Sequence, residues 1–153
     1  APDGHTLLDG EDVEEAIRSM EVSENVSLVS TVPEVRMAMV LLQRGVSRDR
    51  GIVMDGRDIG TVVFPEADVK LSIVSDPRVR AERRYKELKD KGAEVNFDEV
   101  LGNITARDYT DSHREISPLV KAPDAVEVDN SALTIDEQNA KIGAIVDAKL
   151  KKY

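Results

Sequence analysis

A short stretch in the middle of the chain, GIVMDGRDIGTVVFP (residues 51–65), joins an apolar run to opposed charges. Asp55, Arg57 and Asp58 surround a single glycine there. A guanidinium group can grip a phosphate as a planar fork, while nearby carboxylates accept hydrogen bonds and orient what is bound. The alternative is an ordinary turn after a strand, with Gly56 supplying the turn and the charges facing water. The residues alone leave both interpretations open.

A second group of cations lies in DPRVRAERRYKELKDK, residues 76–91. Arg80, Arg83 and Arg84 have the i, i+3, i+4 spacing that puts side chains on one helix face. Guanidinium groups so close repel one another unless an anion lies between them. The spacing therefore favours a helix that closes as a lid and binds a triphosphate. The alternative is a solvated face relieved by neighbouring glutamates. The segment holds seven Lys/Arg and four Asp/Glu, a local charge of +3, so that the rest of the chain carries −12.

A third group lies in RDYTDSHR, where Arg107, Asp111 and Arg114 follow at steps of four and three. A persistent helix would bring them onto one face, either as a wall against a ribose phosphate or as a surface ion-pair ladder worth little. His5 and His113 have no neighbours at metal-ligand spacing, so no metal site is expected.

Composition limits the class of protein. The chain has 153 residues, 41% hydrophobic and 33% charged, which predicts one globular domain. It has no cysteine, which excludes disulfides and thiolate metal sites. The net charge of −9, the 3% aromatic content and the absence of Trp argue against binding to nucleic-acid polymers. The basic segment on an acidic chain instead suggests a small anionic ligand.

No apolar run approaches the roughly 18 residues of a membrane span, and the first residues carry no secretory pattern. We therefore expect no membrane partner and a cytoplasmic location. The sequence opens on Ala1 rather than on methionine, which fits a processed or partial chain.

The elements that must position these groups alternate between helix and strand. Asp76-Pro77 is a helix-start signal, and TIDE (Thr134–Glu137) is a capping box. Such alternation predicts an α/β fold with a parallel sheet, in which ligands gather at the carboxyl ends of the strands. Helices are expected over residues 9–19, 31–45, 76–92, from near Asp98 and from Thr134 onward, and strands over residues 51–55, 69–75 and 125–131.

The strings VMDGRDIGTVVFP, RAERRYKEL, GAEVNFDEV, RDYTDSHREISPLVKAPDA and VDNSALTIDEQ, in this order, resemble the bacterial cytidylate kinases. LDGEDVEEAIRSMEVSENVSLVSTVPEVR resembles the monophosphate-binding insert of the same family, so the resemblance covers essentially the whole chain. It implies ATP-dependent phosphorylation of CMP and dCMP, with Mg²⁺, on a P-loop kinase fold.

The resemblance implies that Ser27, Arg36 and Asp58 read the cytosine base. The chemistry fits, because a carboxylate accepts from the exocyclic amine of cytosine and repels the carbonyl that uracil has there. A site that leaves a buried polar group unpaired with the wrong ligand discriminates strongly.

The resemblance assigns the other candidates to the ribose and the phosphates. Arg107 and Asp111 contact the ribose, Arg57 and Arg114 hold the monophosphate, Asp55 lies near the reaction centre, and Arg80, Arg83 and Arg84 form the lid over the ATP phosphates. Asp55, Arg57 and Arg114 are thus the expected catalytic residues.

Two motifs of the family pattern are absent from this sequence. The sequence contains neither the Gly-x-x-x-x-Gly-Lys-Ser/Thr loop that holds ATP nor the Thr-Gly-Ala-x-Tyr-Arg stretch. The resemblance therefore implies a sheet incomplete at the N-terminus, with residues 1–50 as part of the insert and 51–153 as the rest of the core, including lid helices 76–115. We expect this chain alone not to be catalytically competent. A missing N-terminal segment or a second copy is the expected protein partner.

Two alternatives use the same residues differently. The chain is then either a non-catalytic nucleotide-binding module derived from the kinase, or a structural fragment that self-associates through exposed sheet edges. CMP binding, or its absence, separates them from the first interpretation.

Overall fold

The computed structural model of this protein describes residues 4–46 and 51–151. The boundary expected at residue 50 lies outside the described residues. The elements are β1 (Leu7–Leu8), β2 (Glu11–Asp12), a 3₁₀ turn (Ala16–Arg18), α1 (Met20–Val29), α2 (Pro33–Val46), a wide π-type turn (Ile59–Val63), β3 (Leu71–Val74), α3 (Pro77–Asp90), α4 (Phe97–His113), β4 (Val126–Asp129) and α5 (Ile135–Leu150).

The larger sheet has two parallel strands. β3 pairs with β4 in register from Leu71 opposite Val126 to Val74 opposite Asp129. The chain between them folds into α3 and α4, as a parallel connection requires. These helices pack on each other around Ala81, Leu88 and Val100, with Met20 from α1 against the same cluster. The architecture is therefore α/β, with a small parallel sheet and many helices.

The elements with strong local signals form where the sequence predicts them. Asp76 caps α3 by accepting hydrogen bonds from the amides of Arg78 and Val79, and Gly92 follows the helix at φ +80°. Thr134 and Glu137 form the expected reciprocal capping box of α5. The predicted strands 69–75 and 125–131 are present as β3 and β4.

The prediction of an acidic helix over residues 9–19 is wrong. Asp9 and Gly10 turn the chain at φ 51° and 89°, so that β1 and β2 form a two-residue antiparallel hairpin. Glu14 accepts hydrogen bonds from Arg18 and from the amide and hydroxyl of Thr6, which lowers the pKa of Glu14 to about 2. These local bonds favour the hairpin and 3₁₀ turn over a continuous helix.

The helix α1 was not predicted as a separate element. Ser19 caps it by accepting a hydrogen bond from the amide of Val22. The next helix, α2, begins at Pro33, two residues after the expected start, and continues through Gly45 to Val46. The long apolar sequence of this region therefore divides into two helices.

The prediction of a strand over residues 51–55 is also wrong. These residues are not in a strand, and the Val53 side chain is fully exposed. A run that is apolar on both faces needs sheet neighbours and covering helices to bury it. Within the described ranges, β3 has only β4 as a hydrogen-bonded neighbour.

A helix that crosses a bilayer must be both long and apolar. Within residues 4–46 and 51–151, no single helix is long and apolar enough to cross a bilayer. α1 and α2 meet that test only when taken together, across a bend of 101°.

Candidate functional site

The segment Gly56–Phe64 is a tightly fitted turn. The carbonyl of Asp58 accepts hydrogen bonds from the amides of Val62 and Val63 at 2.8 and 3.2 Å. A Cβ atom at Gly56 would lie 2.8 Å from the Ile59 side chain, so only glycine fits there without movement. Wide turns of this type are frequent at functional sites. The alternative interpretation of this segment, an ordinary exposed turn, therefore does not describe Asp58, which is buried.

Five charged side chains from three parts of the chain meet in alternating order. We call Arg36, Asp58, Arg114, Asp111 and Arg57 the Arg–Asp network. Arg36 on α2 donates to Asp58 Oδ2, and Arg114 Nη2 lies 3.9 Å from Asp58 Oδ1. Asp111 Oδ1 is 3.4 Å from Arg114 Nη1, and Asp111 Oδ2 is 3.1 Å from Arg57 Nε.

The centre of the network is removed from water. Asp58, Asp111 and Arg114 are 7%, 3% and 8% exposed. Burial lowers the pKa of the Arg114 guanidinium, and the nearby Arg36 cation lowers it further, whereas the two aspartates oppose the shift. Arginine nevertheless stays protonated. The network has three guanidinium groups and two carboxylates, and it therefore carries a net positive charge.

The end of α1 is tied to the network through serines. Ser27 is buried, and its carbonyl accepts a hydrogen bond of 2.7 Å from the Ser30 hydroxyl. The Ser30 hydroxyl in turn accepts from Arg114 Nη1 at 3.1 Å, and the Ser30 carbonyl from Arg36 Nη1 at 3.3 Å. Sequence reasoning missed Ser30, because no motif connects it with an arginine 84 positions away.

Arg107 lies at a neighbouring cavity of about 170 Å³. Its Nη1 donates to the Ser23 hydroxyl at 2.8 Å, and that hydroxyl lies 2.9 Å from Asn103 Oδ1. Burial lowers the pKa of Arg107, and the next largest cause is the Arg57 cation. The cavity is lined by Met20, Ser23, Arg80, Arg84, Val100, Asn103, Ile104 and Arg107.

The three arginines of α3 that were predicted to form a lid do not converge on one point. Arg80 makes a two-bond ion pair with Asp108, at 3.1 and 2.5 Å. Arg84 donates to Glu87 at 2.9 Å and to the carbonyl of Arg18 at 2.6 Å. Arg80 and Arg84 both line the cavity beside Arg107.

Arg83 has a different position from its two neighbours. It donates to the carbonyls of Asn130 and Leu133 at 2.8 and 3.2 Å. Its guanidinium group therefore holds the loop after β4.

The remaining candidates lie apart from the network. Asp55 is exposed and forms no ion pair with the described residues. His5 lies 2.7 Å from an Asp12 carboxylate oxygen, and His113 stacks on Tyr109. Within the described ranges, no three His, Asp or Glu side chains gather as a metal site.

A small parallel sheet flanked by helices, with a buried cationic cluster, is typical of α/β proteins that bind phosphorylated ligands. The family model described as cytidylate kinase matches residues 2–148, and the chain belongs to that family.

Several curated relatives share about half of their residues with this chain. It is similar to proteins named cytidylate kinase from Bacteroides thetaiotaomicron (53% identical over 133 residues, 87% of this chain and 58% of the relative) and Porphyromonas gingivalis (54% over 136 residues, 88% and 59%). A third, from Flavobacterium johnsoniae, is 49% identical over 144 residues, 94% of this chain and 63% of the relative. The chain thus spans about three fifths of the length of these relatives.

Proposed function

We propose that this chain supplies the CMP-binding part of a cytidylate kinase, which transfers a phosphoryl group from ATP to CMP or dCMP. The observation that carries the proposal is the Arg–Asp network, in which five of the residues assigned to the nucleotide by resemblance contact one another. A net positive, largely buried cluster suits a small phosphorylated ligand. The relatives share one name, cytidylate kinase, which does not favour the non-catalytic or purely structural alternatives.

Asp58 is the residue suited to select cytosine. Its Oδ2 accepts from Arg36, whereas Oδ1 has Arg114 Nη2 at 3.9 Å, too far for a hydrogen bond. Oδ1 therefore retains the capacity to accept a hydrogen bond from the exocyclic amine of CMP. The carbonyl of uracil offers no donor at that position. Ser27 and Arg36 complete the base site in this proposal.

Two arginines have donors suited to the rest of the ligand. Arg114 Nη2 and Arg107 Nε are buried nitrogen atoms without a hydrogen-bond partner. Buried donors are almost always satisfied, so such atoms are good candidates for contact with ligand oxygens. In this proposal Arg57 and Arg114 hold the monophosphate, Arg107 and Asp111 hold the ribose, and Asp55 lies near the reacting phosphoryl group.

This chain supplies fewer of the groups needed to bind ATP than of those needed to bind CMP. Arg80, Arg83 and Arg84 are proposed as the lid over the ATP phosphates. To reach them, Arg80 must release Asp108 and Arg84 must release Glu87. The sequence contains no P-loop string, and the described residues hold no group of three His, Asp or Glu placed to bind a metal ion. We expect this chain alone to show no CMP-dependent ADP formation.

Calorimetry on the 153-residue chain with CMP and UMP tests the proposal. We expect CMP to bind at least about tenfold more tightly than UMP, since one hydrogen bond to a charged group contributes about 1.5–3 kcal/mol. Asp58→Asn should weaken CMP binding and reduce the CMP preference. Asp124→Asn is the control, because Asp124 pairs with Lys70 at an exposed position. Equal affinity for CMP and UMP, or an unchanged CMP affinity in Asp58→Asn, would refute the proposal.

A further inference from the structure

One arginine outside the Arg–Asp network contacts the turn that carries Asp58. Arg44, near the end of α2, donates from Nε to the carbonyl of Val63 at 2.9 Å and from Nη2 to the carbonyl of Val62 at 2.6 Å. Val63 is one of the most deeply buried residues of the protein, at 2% exposed. The guanidinium group of Arg44 therefore binds two successive carbonyls of one backbone segment.

These carbonyls lie where the turn Ile59–Val63 ends. Within the turn, the carbonyl of Asp58 accepts the amides of Val62 and Val63, and the carbonyl of Ile59 accepts the amide of Phe64 at 2.7 Å. The last carbonyls of a helical segment have no partner inside it and must find one elsewhere. A cation is favourable there, and the planar fork of arginine can bind two carbonyls at once. Arg44 caps this turn from another helix.

The same helix also binds the start of the turn. Arg36 pairs with the Asp58 side chain, and Arg44 lies eight residues further along α2. With a rise of 1.5 Å per residue, the two arginines are about 12 Å apart along the helix axis. α2 thus holds the turn at both ends, by a carboxylate at one and by backbone carbonyls at the other.

We propose that Arg44 is a positioning residue for base selection. Its two bonds fix the turn Ile59–Val63 against α2, and this keeps the Asp58 carboxylate beside Arg36. The effect on nucleotide choice rests on the proposed function, whereas the effect on the turn does not. Arg44→Gln removes the charged fork, and Arg44→Lys keeps the charge but has one nitrogen for two carbonyls.

Amide hydrogen exchange measured by NMR tests the first part without any nucleotide. In Arg44→Gln we expect the amides of Val62, Val63 and Phe64 to exchange about tenfold faster, relative to the amides of α5, since two hydrogen bonds to a charged group are lost. Arg44→Lys should give an intermediate rate. Arg78→Gln is the matched control, because Arg78 is an exposed arginine paired with Glu82. Equal acceleration throughout the chain, or none at the turn, would overturn the inference.

Calorimetry tests the second part. We expect the ratio of CMP to UMP affinity to fall about fivefold or more in Arg44→Gln, to recover partly in Arg44→Lys and to stay unchanged in Arg78→Gln. Faster exchange at the turn with an unchanged ratio would show that Arg44 is only structural and would overturn the proposal. If the unsubstituted chain does not prefer CMP, the proposed function fails, and the role of Arg44 in selection fails with it. The exchange data then report separately whether Arg44 holds the turn.

Discussion

The two groups of arginines in this protein are held in different ways. In the Arg–Asp network, Arg36, Arg57 and Arg114 share two carboxylates, those of Asp58 and Asp111. On α3, the three lid candidates have separate partners: Arg80 has Asp108, Arg84 has Glu87 and the Arg18 carbonyl, and Arg83 has the carbonyls after β4. The first group is one connected unit, whereas the three arginines of the second group have no partner in common.

Exposure to water separates the centre of the network from the α3 pairs, although Arg57 at the edge of the network is itself 44% exposed. The side chains of Arg114 and Asp111 are 3% and 5% exposed, whereas those of Arg80 and Asp108 are 34% and 33% exposed. Charges interact more strongly where water is excluded, and removing one partner there leaves an uncompensated charge. Partners at the surface exchange at little cost. The comparison indicates a network whose centre is fixed and, on α3, arginines that can change partners at little cost.

The largest expected effect is that of Asp111→Asn. This substitution leaves Arg114 and Arg57 without their shared carboxylate, and breaking a buried pair costs about 3 kcal/mol of unfolding free energy. Asp108→Asn is the matched variant, because Asp108 lies on the same helix and pairs with one half-exposed arginine. Its expected cost is about 1 kcal/mol or less. Urea denaturation followed by circular dichroism measures both.

The comparison fails if the two variants lose equal stability. A larger loss for Asp108→Asn would mean that the α3 contacts, and not the network, hold this part of the fold. An unchanged urea midpoint for Asp111→Asn would mean that water already compensates the charges of Arg57 and Arg114.

A smaller effect is expected from salt. At 1 M NaCl the screening length is about 3 Å, so interactions between exposed charges are weakened much more than those between buried ones. The cost of Asp108→Asn should therefore fall by about half between 0.05 and 1 M NaCl, whereas that of Asp111→Asn should change little. Repeating the urea titrations at both salt concentrations gives the two differences. Parallel losses of both costs would contradict the assignment of the network to a dry environment.

How far the sequence predicts the fold depends on whether a signal is local. The cap at Asp76, the capping box at Thr134 and the glycine after α3 act within a few residues, and the structure confirms them. The strand expected over residues 51–55 had only an apolar composition as its signal. Such a run becomes a strand only beside another strand, and the described residues give it none. The hairpin near Asp9 depended on bonds from Thr6 and Arg18 to Glu14 that composition does not show.

The candidate site follows the same division. Helical spacing predicted that Asp111 and Arg114 share one face if the helix persists. The helix α4 ends at His113 and Arg114 follows in an extended conformation, but its side chain still contacts Asp111. Spacing also suggested that Arg80, Arg83 and Arg84 share one anion, but Arg83 binds a loop some 47 positions away in the sequence. Ser30, Asp108 and Arg44 were missed, because each acts through a contact between distant segments. Residue types suggested an anionic ligand, whereas the tertiary contacts determine which side chains lie close together.

The smallest expected effect concerns the pKa of Glu87 on α3. The Arg84 guanidinium beside it lowers the pKa of Glu87 below its ordinary 4.5, with smaller contributions from Lys91. Because the folded-state pKa is the lower one, the pair stabilises the fold fully above pH 4.5 and loses that contribution as the pH falls through the folded pKa. Arg84→Gln should return the Glu87 midpoint toward 4.5 in a carboxyl ¹³C NMR titration.

Glu137 is the matched control for this titration, because its pKa is lowered by bonds from Thr134 and not by an arginine. Inorganic triphosphate sharpens the same measurement. If Arg84 leaves Glu87 to bind a phosphate chain, adding triphosphate should raise the Glu87 midpoint and leave that of Glu137 unchanged. A Glu87 midpoint that moves neither with Arg84→Gln nor with triphosphate would show that Arg84 does not exchange partners. The contrast between a fixed network and exchangeable α3 arginines would then no longer hold.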